Sequence, residues 1–519
     1  MSRISFDQND LDQLRRRGLT SEEVRRQLAL FADPPPSIRL DRPCRVDDGI
    51  AVLPDAVHEP LIEMWRRAAE AGRLSRFVPA SGAASRMFAG LLRWHQKGRS
   101  WTRDDLERAA QGDDADASAA LTFLDRLRAF PFYCELEAQL SRGKASIETA
   151  LPHVIVQTLF DVDGLGLADA PKGLIPFHRS RDGVKTAFEE HLVEAAQILR
   201  DRDGVCRLHF TVGVSHERAF TNLLDRVRSE LEDRWGARFD VTFSHQHPST
   251  DTIAVGLDNR PFRDESGRIL FRPGGHGALL ANLEQFGGDV VMIKNIDNVV
   301  PLMRQKEVVR WKRLLAGFLV SLQQRVFDVL EELHATPGSS DVLRRATSLL
   351  VDDLFVPEHQ CSPGQLVEER QRALIDRLDR PLRVCGVVRN AGEPGGGPFW
   401  VREPNGHTST QIVESAEVDL DDEQQRLIWQ SSTHFNPVDI VCGVRGRSGR
   451  GYDLGQFVDP LAVFIARKSS AGQPIKALER PGLWNGAMAG WNTVFVEVPE
   501  ETFAPVKTVF DLLRPVHQS

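Results

Sequence analysis

The chain has 519 residues, 27% charged and 41% hydrophobic, with a formal net charge of -8. That length predicts roughly two to four structural units with ample surface to bury, and the ordinary composition excludes a disordered or membrane-embedded chain. A net negative charge argues against a nucleic-acid partner, since phosphate backbones reward basic surfaces.

Residues 6–31 carry Leu11, Leu14, Leu19 and Leu28 between charges and predict helix, with a helix start at Thr20-Ser21-Glu22-Glu23 and a stop at the prolines 34–36. A second helix over about 56–73 leads into Arg76–Ala80, an apolar run that reads as a buried strand. Helical spacing from Met87 to Trp94, and then through Leu106, Leu121, Leu124 and Leu127 as far as 151, predicts a helical insertion. Residues 154–160, 205–213, 239–246 and 289–297 are predicted strands, separated by helical stretches at 185–200 and 216–235. Residues 301–381 read as helix that packs and carries no chemistry. Strand signals return at 382–390, the glycine run 393–398 reads as a hairpin turn, and short strands and turns fill 399–519. The alternation predicts an α/β fold with a mixed, mostly parallel sheet and helical insertions. It divides the chain at 1–74, 75–300 (with an insertion at about 95–152), 301–381 and 382–519.

No stretch reaches the roughly 20 apolar residues of a membrane helix, and the segment MSRISFDQNDLDQLRRRG lacks the apolar core of a secretory signal. The six cysteines are dispersed and form no CxxC pair, the usage expected of reduced cytoplasmic thiols. Zinc, a disulfide framework and a membrane partner are not expected.

Short motifs carry the chemistry. Ala80-Ser81-Gly82-Ala83-Ala84-Ser85-Arg86-Met87 follows a predicted strand and opens a predicted helix, so its backbone N–H groups would converge where a phosphate can sit. Arg86 adds a forked donor. Pro171-Lys172-Gly173-Leu174-Ile175-Pro176 holds a lysine in a loop stiffened by prolines. Gln246 ends a predicted strand, and Pro273-Gly274-Gly275-His276-Gly277 is a turn where missing side chains allow close backbone approach. Asn295-Ile296-Asp297-Asn298 ends another strand, where ligands gather in open α/β sheets, and Asp297 is a hard oxygen ligand. Phe435-Asn436-Pro437, Glu479 in KALERPG, and Lys507 in Thr502–Leu513, with Asp511 following it, complete the set. Trp484 and Trp491 could stack on a sugar, although core packing is the commoner fate of such rings.

In this order the motifs resemble those of the UDP-sugar pyrophosphorylases, whose FxPVKxxxDL, PK(G/P)(L/M)xP, PPGHG and NxDN elements are mirrored over roughly 75–515; as a whole the chain looks like an uncharacterised bacterial family related to them. Ser81 and Ala84 depart from the glycines of the AGGxGTRM loop in those transferases. The resemblance implies a Rossmann-like nucleotidyltransferase core of GT-A type, with a nucleotide-binding part at 75–300 and a sugar-side part at 382–519. It implies condensation of a nucleoside triphosphate, with UTP expected, and a sugar 1-phosphate to a nucleotide sugar and pyrophosphate. Arg86, Lys172 and Lys507 would be the catalytic cations. Ala80, Ser81, Gly82, Gln246, Gly274, Gly275, His276 and Gly277 would meet the nucleotide, and Asn295, Asn298, Asn436 and Glu479 the sugar. Asp297 would hold Mg²⁺. A nucleotide-binding protein without turnover, and a glycosyltransferase on the same fold, stand beside this reading.

Overall fold

The computed structural model describes residues 5–518 except 98–100, 181–182, 362–365, 391, 393–394, 404 and 471, and omits the side chains of 436–438. The chain forms two units that interleave in sequence. One comprises Met1–Phe77, Ser244–Ile293 and Lys312–Glu500, the other Val78–Phe243, Lys294–Trp311 and Glu501–Ser519.

In the first unit the strands run in the order Arg45–Val46, Gly49–Ala51, Asn492–Glu497, Leu382–Arg389, His434–Gly443, Val290–Ile293, Leu74–Pro79. His434–Gly443 is antiparallel to both neighbours and every other adjacent pair is parallel. The fold is therefore mixed α/β with a mostly parallel central sheet. Val290, Val291, Met292 and Ile293 are all buried, the unbroken apolar run that a sheet covered on both faces requires. Lys312 reaches this sheet from the helix Gln305–Ala335 and pairs with Asp439 at 2.6 Å, both buried. The helical segment predicted to carry no chemistry thus contributes a buried ion pair.

Thr20 caps the helix Ser21–Ala32 by accepting the Glu23 N–H, as the sequence predicts. That helix and Gln8–Arg17 bury Leu14, Val24, Leu28 and Phe31 against Ile253, Val255, Phe271 and Leu478 of a smaller sheet. In it Phe271–Arg272, Thr252–Val255, Gln473–Glu479 and Phe464–Ser470 lie in that order. Both the glycine-rich turn after Arg272 and Glu479 leave from this sheet.

In the second unit Val205–Thr211 lies beside Arg238–Ser244, and Pro176–Ser180 pairs antiparallel with Gly183–Thr186. Phe188, Phe210, Phe220 and Phe243 pack as a cluster of rings at 4.7–6.4 Å. The helix Ala187–Ile198, started by a Thr186/Glu189 capping box, is buried along nearly its whole length.

Two expectations fail. Residues 154–160 are not a strand but part of the helix Pro152–Phe160. The β-branched run suggests a strand, yet Ile155 with Leu159 and Val156 with Phe160 are buried pairs four apart, and Pro152 in the first turn presets the helical φ. The strands on either side of the glycine run 393–398, which lies partly outside the described residues, do not pair as a hairpin either. Leu382–Arg389 belongs to the large sheet, whereas Gly397–Arg402 pairs with Leu40–Pro43 and Thr408–Val413.

Candidate functional site

The predicted site residues fall into two groups, one in each unit. In the second unit the first loop is stitched to the proline-stiffened loop: the Ala84 N–H donates to the Ala170 carbonyl at 3.0 Å and the Lys172 N–H to the Gly82 carbonyl at 3.1 Å. The Ala80 N–H donates to the Thr211 carbonyl at 2.8 Å. Gly173 has to be glycine, because a Cβ there would stand 2.9 Å from the Phe220 ring. Asn298 accepts the Ala504 N–H at 2.9 Å, and the Asp297 carbonyl accepts the Val506 N–H at 3.1 Å. Lys507 follows directly, its own N–H held by Asp511 at 2.8 Å.

These backbone links bring Lys172 and Lys507 onto one carboxylate oxygen. Lys172 Nζ lies 2.7 Å and Lys507 Nζ 3.5 Å from Asp297 Oδ2. The Lys507 side chain remains 61% exposed against 14% for Lys172, so one lysine is set in the floor and the other stands at the rim. Burial alone would raise the Asp297 pKa, but the two ammonium groups reverse that and hold it below its ordinary value. Lys172 fares worse. Burial pushes its pKa down, Asp297 restores part of it, and the like charges of Lys507 and Arg86 lower it again. Arg86 is exposed and has no carboxylate partner among the described residues. Two cations thus share one buried anion, with the like charge of Arg86 felt at Lys172.

The phosphate loop departs from its expected geometry. The helix begins only at Ala89, after a single turn of 3₁₀ helix at Ala84–Arg86, so the loop does not lead directly into an α-helical N-terminus. Ala84 is fully buried and its N–H is committed. Ser81 and Gly82 are exposed, and a Cβ on Gly82 would meet nothing within 4 Å. Asn298 spends its side-chain oxygen on the Lys507 segment, while Asn295 lends its carbonyl to the Asn298 N–H at 3.2 Å. Asp511 caps the turn Val509–Leu513.

The first-unit group is organised around its own chain. A Cβ on Gly274 would lie 2.6 Å from the Thr250 carbonyl oxygen, and one on Gly277 1.9 Å from that of Pro481. Both glycines admit the neighbouring backbone, and Gly275 has φ +76°. His276 stacks on Trp484, ring centres 4.4 Å apart, and its Nδ1 accepts the Leu483 N–H at 3.0 Å. Burial lowers its pKa against the pull of Glu414 and Glu479, so the ring is neutral with a donor at Nε2. Gln246 donates to Asp251 at 3.2 Å, and Glu479 pairs with Lys468 at 2.9 Å. Trp491 is core. The side chain of Asn436 lies outside the described residues. A cavity of about 1570 Å³ in this unit, lined by Arg377, Arg380, Glu403 and Gln411 among others, contains none of the predicted site residues.

Sequence reasoning missed a buried row in the second unit. His178 Nδ1 meets Glu190 at 2.9 Å and His178 Nε2 meets His517 Nδ1 at 2.9 Å. The available signal was the run of ionisable residues Glu189, Glu190, His191 and Glu194 in a helix that is buried along nearly its whole length.

The family model described as Domain of unknown function (DUF4301) matches residues 7–518, and the chain belongs to that family. No curated protein matches it in sequence. Among solved structures it is similar to a UDP-N-acetylglucosamine pyrophosphorylase of Trypanosoma brucei in complex with an inhibitor (13% identity, 95% of this chain and 74% of that one, TM-score 0.47). It is also similar to a UDP-glucose pyrophosphorylase variant of Leishmania major in complex with UDP-glucose (13%, 98% and 78%, 0.42) and to a UDP-glucose phosphorylase of Trypanosoma brucei (13%, 97% and 77%, 0.43).

Proposed function

We propose that the chain is a nucleotidyltransferase that joins a nucleoside triphosphate, UTP foremost, to a sugar 1-phosphate and releases pyrophosphate. The observation that carries this reading is the meeting of Lys172 and Lys507 on buried Asp297, with the charge of Arg86 felt at Lys172. The sugar phosphate is already an anion, so attack on the α-phosphorus needs no general base. The protein's share is alignment and neutralisation of charge on the oxygens of the departing pyrophosphate. Lys172, rigid and buried, fixes a phosphate oxygen in position, and exposed Lys507 and Arg86 close on it from the rim. A phosphate group there relieves the repulsion that Lys172 bears from the other two cations.

Mg²⁺ fits through one atom. Asp297 Oδ2 faces both lysines, but Oδ1 is buried without a protein partner among the described residues, and this ion takes one or two carboxylates beside water and phosphate oxygens. Asp297 Oδ1 would hold it, and when bound it would add charge neutralisation at the phosphates. The test is pyrophosphate release by the purified protein with each of the four nucleoside triphosphates, Mg²⁺ and a panel of sugar 1-phosphates. Release with one pair supports the reading. Nucleotide binding without release in any pair favours a binding protein, and transfer of sugar from a nucleotide sugar favours a glycosyltransferase.

A further inference from the structure

The segment that carries Lys507 is anchored at both ends. Upstream, Asn298 and the Asp297 carbonyl hold Ala504 and Val506. Downstream, the Val509 N–H donates to the Met87 carbonyl at 2.9 Å, Asp511 closes the turn Val509–Leu513, and the chain then enters the interior at His517. There the His517 ring lies nearly parallel to that of His178 (12°, centres 5.2 Å apart) and accepts or donates at 2.9 Å. His178 continues to Glu190 at 2.9 Å, and Glu190 accepts from Gln305 at 3.2 Å. The row joins a hairpin strand, the buried helix and the C-terminal turn.

We propose that Glu190, His178 and His517 form a latch that holds the C-terminal segment and so positions Lys507 over Asp297; this rests on Lys507 being a phosphate-binding cation. The three are positioning residues. A bond between two imidazoles needs one N–H and one bare nitrogen. With Glu190 protonated, its O–H donates to His178 Nδ1 and the His178 Nε2–H donates to His517 Nδ1, leaving a proton on His517 Nε2. Burial supports that state, raising the Glu190 pKa to about 8 and lowering both rings to about 3. Lys185 and Lys294 face Glu190 and favour its charge, Glu194 opposes it, and Arg514 and Asp511 face His517 with opposite effects. Once Glu190 ionises, its carboxylate can only accept, so every donor in the row must reverse.

The test compares His517→Ala, His517→Asn and Lys507→Ala by amide hydrogen exchange over 504–517 and by the affinity for inorganic pyrophosphate. His517→Ala should raise exchange in that segment by about tenfold or more and weaken pyrophosphate binding several-fold. His517→Asn, whose amide sits where Nδ1 was, should recover most of both. Unchanged exchange in His517→Ala overturns the latch, and so does faster exchange with unaltered pyrophosphate affinity when Lys507→Ala does weaken it. If Lys507→Ala leaves pyrophosphate binding intact while His517→Ala loosens the segment, the latch stands and the phosphate role of Lys507 is what fails. Should His517→Ala be too unstable to purify, His178→Phe decides: it keeps a ring but loses the bond to His517, so exchange over 504–517 should rise by about tenfold, and unchanged exchange overturns the proposal.

Discussion

Replacing Asp297 by asparagine removes the negative charge that both Lys172 and Lys507 face while keeping the shape of the side chain. Lys507 is mostly exposed, and water screens its lost attraction, so its share is small. Lys172 is different: its side chain is 14% exposed, burial already lowers its pKa, and among the described residues Asp297 is the attraction that raises it. Breaking a buried pair on one side costs about 3–5 kcal/mol; a partly exposed lysine that can shed its proton brings this to about 3 kcal/mol at pH 7. The pH dependence follows from the depressed Asp297 pKa. The carboxylate's contribution is present above the ordinary value of 3.8 and is lost as pH falls through the lower folded value. Urea unfolding of native protein and variant at pH 7 and again below pH 3.8 should show the gap narrowing in acid. The same variant should lose Mg²⁺-dependent turnover, since an amide carries no charge for a hard cation. A gap under about 0.5 kcal/mol at pH 7, within the range of ordinary surface changes, would refute the buried-counter-ion account.

Lys172→Ala and Lys507→Ala should each lower pyrophosphate release by at least about tenfold, a loss of about 1.4 kcal/mol in the transition state, with Lys507→Ala unfolding like the native protein. Ala84→Val should act through packing, because Ala84 is wholly buried; a melting curve should show a loss of about 1–3 kcal/mol, and unchanged stability with weaker nucleotide binding would return the side chain to the phosphate path. Stability should also fall on the alkaline side: the raised Glu190 pKa makes its contribution complete below 4.5 and lost as pH climbs to about 8. The two rings, lowered to about 3 from 6.5, contribute above 6.5 and lose it toward acid. Denaturation midpoints across pH 4–9 should therefore peak at about pH 6.5, and Glu190→Gln should abolish the alkaline decline alone.

What was legible in the sequence was local chemistry at ordered positions. Thr20 caps because its hydroxyl competes for a nearby N–H, and Val290–Ile293 is a strand because nothing in it tolerates water. The meeting of Lys172, Asp297 and Lys507 was legible only through motif order, since residues 125 and 210 positions apart carry no local sign of contact. Residues 154–160 misled because β-branching favours a strand while the four-residue pairing of buried faces favours a helix, and tertiary burial decided for the second. The glycines misled in another way.

Glycine reports that something approaches the backbone closely but does not say what. At Gly274 and Gly277 the missing side chains admit the protein's own 250 and 481 carbonyl groups, a packing reason for glycine that stands beside the expected contact with a base. At Gly82 the same residue type faces empty space beside Ser81, with the Lys172 backbone N–H bonded to its carbonyl. In the proposed reading the charge for a phosphate at the loop 80–86 has to come from Lys172, Lys507 and Arg86, because the helix that follows the loop starts only at Ala89.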